Sequence, residues 1–202
     1  MPQWFIDSWI VMVPLSVCSV VGLAIVLERV WALRRLRIIS PALAAAIQHR
    51  PNTPEKIEQV HSLSETDRSV LGELVRVVFL HASLPKEQNL EAVQSAARQI
   101  MGRLDRGLTT LALIVELGPL LGLLGTVIGM VKLFTDVAQR GLGEPSQISA
   151  GIYQALTATM VGLGIAVPAL VAVMYLRRRI ELLVLELERH TGELLARLYR
   201  SQ

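Results

Sequence analysis

Three long stretches with almost no charge constrain the fold of this chain more than any other feature. They cover residues 9–27, 109–131 and 151–176, and the single charged residue within them is Glu116. Each has about the 20 residues that an α-helix needs to cross ~30 Å of hydrocarbon. We therefore predict three transmembrane helices. The first is expected to remain as an anchor, because its basic residues follow the apolar stretch instead of preceding it.

The apolar pattern continues beyond two of these spans. From Leu90, apolar residues recur at spacings of three and four, which predicts an amphipathic helix that leads directly into the second span. Beyond the third span, a similar face is formed by Ile180, Leu183, Leu187, Leu194 and Leu198. With 52% hydrophobic and 18% charged residues, the chain also has enough polar sequence for an aqueous part. The predicted fold is an all-α membrane protein with three transmembrane helices and long cytoplasmic helix extensions.

The distribution of basic residues predicts the orientation of these spans. Of the 20 Lys and Arg residues, only Lys132 and Arg140 lie at or in the connection between the second and third spans. Because Lys and Arg accumulate on the cytoplasmic side, the N-terminus is expected outside and the C-terminus inside. The predicted segments are a first transmembrane helix at 1–33, a cytoplasmic helical domain at 34–107, a second transmembrane helix at 108–134, a periplasmic loop at 135–149, a third transmembrane helix at 150–176 and a cytoplasmic C-terminal helix at 177–202.

Several classes of function are disfavoured by the composition. The same bias of basic residues accounts for the net charge of +3, so no nucleic-acid partner is needed to explain it. Cys18 is the only cysteine, and the four histidines have no metal-ligand spacing. The sequence contains no pairing of nucleophile and base that would indicate an enzyme. We therefore expect no metal, no cofactor and no catalytic residues.

Four glycines of the second span predict a helix contact. Gly118, Gly122, Gly125 and Gly129 are spaced four, three and four residues apart, which places them on one side of a helix. Thr126 lies beside that side. A phosphate-binding loop would need a lysine after the glycines and a strand before them, and both are missing. In lipid, small residues mark the faces where helices approach closely. The second span is therefore predicted to carry a groove with a hydroxyl on its rim.

The third span has a similar division between small and bulky residues. Its small face is formed by Gly151, Ala155, Ala158, Thr159, Gly162, Ala166 and Ala169. Another face carries the bulky residues Leu156, Met160, Leu163, Val167, Leu170 and Met174, which suit lipid. Spacing alone leaves two interpretations open. Either both threonines bond their own backbone and the small residues only pack helices, or the small faces border a partner or a narrow passage.

Two segments of these spans resemble a known signature. They are "GPLLGLLGTVIGMVKLF" and "ISAGIYQALTATMVGLGIAVPAL", and together they look like the paired motif of the ExbB, TolQ and MotA proton-channel family. The three-span layout is similar to the ExbB and TolQ branch, and the chain looks closest to ExbB. The resemblance implies a motor subunit in the inner membrane of a bacterium with two membranes. It also implies a homopentamer around the spans of an ExbD-like or TolR-like partner, whose membrane aspartate carries the proton.

The resemblance also implies roles for particular residues. By position, Thr126 and Thr159 correspond to the pore-lining threonines of the family. Many members carry a glutamate where this chain has Gln154, and an amide orients water but does not titrate. Glu116 is the one acid within a span, and an intramembrane acid is a functional candidate by default. Gln154 and Glu116 are therefore candidate pore or proton-exit residues.

The resemblance further implies that proton flow drives motion passed to a TonB-like protein, which energises transport across the outer membrane. The alternative within the family is a TolQ-like subunit of an envelope-maintenance motor, with TolR-like and TolA-like partners. The alternative from another class is a scaffold that holds a single-span partner and conducts nothing.

Overall fold

The computed structural model describes residues 9–49, 53–141 and 145–200, and within these ranges all regular secondary structure is helical. Residues 1–8 of the predicted first segment and Gly143 of the predicted loop lie outside the described residues. The described helices are α1 (Trp9–Ala32), α2 (Arg35–Ile38), α3 (Pro41–Gln48), α4 (Pro54–Thr66), α5 (Val70–Leu80), α6 (Lys86–Leu104), α7 (Leu108–Arg140) and α8 (Pro145–Leu198). The prediction of an all-α fold is confirmed for these ranges.

The chain divides into two compact units. Unit 1 consists of Met1–Glu28 and Gly107–Tyr175, and unit 2 consists of Arg29–Arg106 and Leu176–Gln202. Three of the described helices, α1, α7 and α8, are long and apolar enough to cross a membrane. This agrees with the three spans predicted from the sequence.

Unit 1 buries small residues and exposes bulky ones. Along α8, Ala155, Ala158 and Ala166 are at most 4% exposed, whereas Met160 and Met174 are 64% and 66% exposed. Water would oppose such an outward apolar surface, but lipid favours it. The face of α8 that was predicted to suit lipid is thus an outer surface of unit 1.

Unit 2 has a conventional apolar core of leucine, isoleucine and valine side chains. Leu183, Leu187 and Leu194 of α8 are at most 2% exposed, which agrees with the apolar face seen in the sequence. Two hydrogen bonds attach the end of this helix to the rest of the unit. Arg197 donates to the carbonyl oxygen of Ile47 at 3.0 Å, and the hydroxyl of Tyr199 donates to that of Leu84 at 2.6 Å.

The helix predicted to lead from Leu90 directly into the second span is interrupted in the structure. α6 ends at Leu104 and α7 begins at Leu108, with Gly107 between them at a φ of 87°. Side chains disfavour this left-handed conformation, whereas glycine adopts it readily. α6 is capped by Asp105 and Gly107 precedes the first residue of α7, so the prediction of one continuous helix is wrong.

The connection between α7 and α8 is shorter than the loop predicted at 135–149. α7 continues to Arg140, because the sequence between Thr135 and Arg140 contains no helix breaker. Gly141, with a φ of 83°, ends the helix. α8 then begins at Pro145, whose fixed φ suits a first helical turn.

Candidate functional site

The glycines of α7 lie directly against α8. A Cβ atom added at Gly118 would be 3.1 Å from the carbonyl oxygen of Gly162, and one added at Gly122 would be 2.9 Å from the Cα of Thr159. At Gly162, an added Cβ would collide with the carbonyl oxygen of Gly118. The two backbones are therefore closer than side chains at these positions would permit, as in other small-residue contacts between membrane helices.

The same contact continues toward the C-terminal end of α7. Cβ atoms added at Gly125 and Gly129 would be 2.5 and 2.8 Å from the Cβ atoms of Ala158 and Ala155. α1 also reaches this surface, since Val11 Cγ1 would be 3.2 Å from a Cβ at Gly125. The alanines of α8 fill the space that the glycines leave. The groove predicted on the second span is therefore occupied by helices of the same chain and leaves no room for a partner helix at these glycines.

Thr159 forms a hydrogen bond between the two helices. Its hydroxyl donates to the carbonyl oxygen of Gly122 at 2.9 Å, and the side chain is half-buried. This bond depends on the absence of a side chain at Gly122, because the α8 backbone passes directly over that residue.

Thr126 bonds to the next carbonyl along α7. Its hydroxyl donates to the carbonyl oxygen of Leu123 at 2.6 Å, within its own helix. The two threonines therefore use successive carbonyl oxygens of α7, those of Gly122 and Leu123. A hydroxyl has one hydrogen to donate and two lone pairs that accept. With both hydrogens engaged, Thr126 and Thr159 present acceptor lone pairs to their surroundings.

The interpretation in which both threonines bond their own backbone holds for only one of them. Thr126 does so, but Thr159 bonds across the helix contact. A nearby threonine provides a useful contrast. Thr157 is 8% exposed and donates to the carbonyl oxygen of Tyr153 on its own helix at 2.8 Å. Two threonines on α8 thus have different roles in packing, and the sequence spacing does not distinguish them.

Gln154 lines a cleft in unit 1 of about 350 Å³, formed by α1, α7 and α8. Two charged residues of α7, Lys132 and Asp136, line the same cleft. Lys132 contributed to the predicted orientation only, and Asp136 was not among the predicted site residues. Their spacing of four residues, which puts them on one side of a helix at the end of an apolar span, was the available signal.

Glu116 lies away from the threonines. It is exposed on α7, on the same surface as the exposed Leu113, Leu117 and Leu120. It makes no ion pair within the part of the chain that the structure describes. At 1.5 Å per residue, Glu116 is about 15 Å along the helix from Thr126. The structure therefore does not bring Glu116 and the two threonines into one site.

No cluster of three or more His, Cys, Asp or Glu side chains that could hold a metal ion occurs among the described residues. Cys18 is a free thiol in α1 and is half-buried. Among the described residues, the polar side chains around the α7–α8 contact carry hydroxyl, amide, carboxyl and ammonium groups. Such groups can bind and pass protons through hydrogen bonds.

Comparison with known proteins identifies the class to which these helices belong. Residues 61–189 match the model of the MotA/TolQ/ExbB proton channel family, and this match covers more than half of the chain. The chain belongs to that family. The match includes α7, the connection after it and most of α8, and hence Gly122, Thr126 and Thr159.

Individual relatives carry names from the ExbB branch. The chain is 31% identical to "Biopolymer transport protein exbB1" of Vibrio cholerae over 77% of its own length and 70% of that protein. It is 33% identical to "Putative biopolymer transport protein ExbB-like 1" of Synechocystis over 82% of its length and 66% of the relative. Identity to the Neisseria gonorrhoeae protein "Biopolymer transport protein ExbB" is 30%, over 72% of the chain and 64% of the relative. The chain thus spans about two thirds of the length of the relatives it matches.

Proposed function

We propose that this protein is the multi-pass subunit of a proton-driven motor of the ExbB type. With an ExbD-like single-span partner, it uses the proton-motive force to energise TonB-dependent transport across the outer membrane. Family membership supports a proton-channel subunit. The observation that most supports the proposal is that the hydroxyls of Thr126 and Thr159 donate to successive carbonyl oxygens of α7, within the spans of α7 and α8.

The hydroxyls act by offering hydrogen-bond acceptors to a proton carrier. A protonated carboxyl group on the partner, or a water molecule, donates a hydrogen bond to a hydroxyl lone pair without a second buried charge. When the carboxyl group loses its proton, the hydroxyl of Thr126 or Thr159 rotates and donates to the carboxylate. That rotation costs the bond to the α7 carbonyl, so the site responds to the protonation state of the partner.

The pathway runs between subunits in this proposal. The glycine side of α7 packs against α8 of its own chain, so it is not the wall that faces the partner. The opposite side of α7 exposes Leu120, Leu123, Val127 and Val131. These residues are available for contact with neighbouring copies, the partner span or lipid. Five copies surround the partner, and the threonines border the central space.

The proposed topology places the N-terminus outside and the C-terminus inside the inner membrane of a bacterium with two membranes. The segments 34–107 and 177–202 are cytoplasmic, and the connection within 135–149 is periplasmic. The asymmetry of basic residues supports this orientation. Transport is the activity in this proposal, and no step of bond-breaking catalysis is assigned to the chain.

A complex reconstituted with an ExbD-like single-span protein tests the proposal. We expect proton influx into liposomes that contain the complex when a pH gradient is applied. A proton permeability no higher than that of empty liposomes would contradict the proposal. In cells, collapse of the proton gradient should abolish energised uptake. Function that persists would identify a non-conducting scaffold. Detergent sensitivity of a deletion strain, in place of loss of energised uptake, would identify a TolQ-like motor with TolR-like and TolA-like partners.

A further inference from the structure

The cleft that Gln154 lines, hereafter the α1/α7/α8 cleft, is lined by both apolar and polar side chains. Ile10 and Val11 of α1 and Ile128 of α7 are apolar, while Lys132, Asp136 and Gln154 are polar. A purely apolar cleft at this depth would suit a lipid chain. Charged side chains require water or other polar groups around them. The exposed carboxylate of Asp136 in this lining therefore indicates a water-filled space at the end of the spans.

Asp136 is the acidic residue that lines the α1/α7/α8 cleft. Its side chain is exposed, and within the described ranges it makes no hydrogen bond or ion pair. Among the described residues, the groups that line the cleft from the neighbouring helices carry no charge: α1 contributes Ile10 and Val11, and α8 contributes Gln154 as its polar side chain. On α7, Lys132 is the other charged group, one turn before Asp136.

The cleft also lies close to the threonine pair. Gly125 and Gly129 line it and lie against alanines of α8, so the close contact of the two helices forms part of its wall. Gly125 immediately precedes Thr126 in α7. It is also about one helical turn from Gly122, which accepts the hydrogen bond of Thr159.

We propose that the α1/α7/α8 cleft is an aqueous vestibule and that Asp136 is the group in it that exchanges protons with the solvent. This inference rests on the proposed proton-channel function. The Asp136 carboxylate takes a proton from hydronium at the mouth of the cleft, forming an O–H bond and leaving water. It then releases that proton to a water molecule inside. The amide of Gln154 orients this water but carries no proton, so the titrating group is on α7.

Thiol labelling tests the vestibule without measuring transport. In a Cys18→Ser background, Gln154→Cys is treated in intact cells with membrane-impermeant cationic and anionic methanethiosulfonates. We expect both reagents to react, and a Met160→Cys control on the exposed apolar face of α8 to stay unmodified. Adding Asp136→Asn should lower the ratio of the labelling rate of the cationic reagent to that of the anionic reagent by about fivefold. The negative charge of Asp136 attracts the first reagent and repels the second. Ala150→Cys, also in the cleft, is the second probe if Gln154→Cys does not accumulate.

Proton flux tests the role of Asp136. In liposomes with the reconstituted complex, Asp136→Asn should lower flux at least severalfold, whereas Asp136→Glu should retain it and the exposed Asp105→Asn should match wild type. An unreactive cysteine, an unchanged reagent ratio, or full flux in Asp136→Asn would overturn the inference. A wild-type complex that conducts no protons would instead overturn the proposed function, and the labelling ratio would still decide whether the cleft holds water.

Discussion

The hydroxyl of Thr159 on α8 donates a 2.9 Å hydrogen bond to the carbonyl oxygen of Gly122 on α7. The bond forms because α7 has no side chain at that point. A Cβ at Gly122 would be 2.9 Å from the Cα of Thr159 and would push the helices apart. One glycine and one threonine thus couple close packing to the placement of a polar group within an apolar region.

Replacing Thr159 by valine should preserve shape and remove the hydroxyl. We expect assembly to persist and proton flux to fall about tenfold or more. A hydrogen bond to an ionisable group contributes ~1.5–3 kcal/mol, and ~1.4 kcal/mol corresponds to a factor of ten in rate. Flux into liposomes measures the effect. Thr157→Val is the matched control, because Thr157 bonds only its own helix, and Thr159→Ser should retain flux. Wild-type flux in Thr159→Val would remove this residue from the pathway.

Thr126→Val should also impair function, with less effect on packing. The bond of Thr126 to Leu123 lies within α7, so its loss does not separate the helices. We expect loss of energised uptake in cells with a normal amount of assembled complex. Thr135→Val provides the comparison, since Thr135 makes the same kind of bond, to Val131 at 2.8 Å, on the same helix. Equal impairment by both changes would mean that the loss of any threonine hydrogen bond of α7 impairs uptake, and that Thr126 has no special role.

Gly162→Ala should destabilise the α7–α8 contact. The added methyl group would collide with the carbonyl oxygen of Gly118, and overpacking of this kind costs about 1–3 kcal/mol. The expected result is a lower Tm in thermal unfolding of the detergent-solubilised protein. Gly164→Ala, two residues away, should not lower Tm, because no heavy atom lies within 4 Å of its added Cβ and alanine favours a helix more than glycine does. Equal Tm values for both variants would contradict the close contact.

Glu116→Gln tests a proton-exit role for the acid of the second span. Glu116 is exposed among apolar side chains of α7 and makes no ion pair with described residues. If protons leave through it, removal of the titrating group should lower flux in the reconstituted complex, and Glu116→Asp should restore part of it. Flux equal to wild type in Glu116→Gln would exclude that role.

Much of the fold could be predicted from the sequence because the relevant signals are local. Charge-free stretches of sufficient length indicate helices that suit a bilayer, and the paired motifs around Thr126 and Thr159 indicate the family. The break at Gly107 was missed, since glycine within an amphipathic pattern is compatible with both a continuous helix and a left-handed turn. The extension of α7 to Arg140 was missed for the opposite reason: a polar sequence was interpreted as a loop although nothing in it ends a helix.

The sequence by itself determined which residues share a helix face, because the helical repeat is a property of the local backbone. It therefore placed Gly118, Gly122, Gly125 and Gly129 together. Which helix covers that face depends on contacts between residues far apart in the chain, and only the tertiary structure decided that α8 and α1 fill it. The same holds for Asp136 and Gln154, which face one cleft only because α7 and α8 pack in this register.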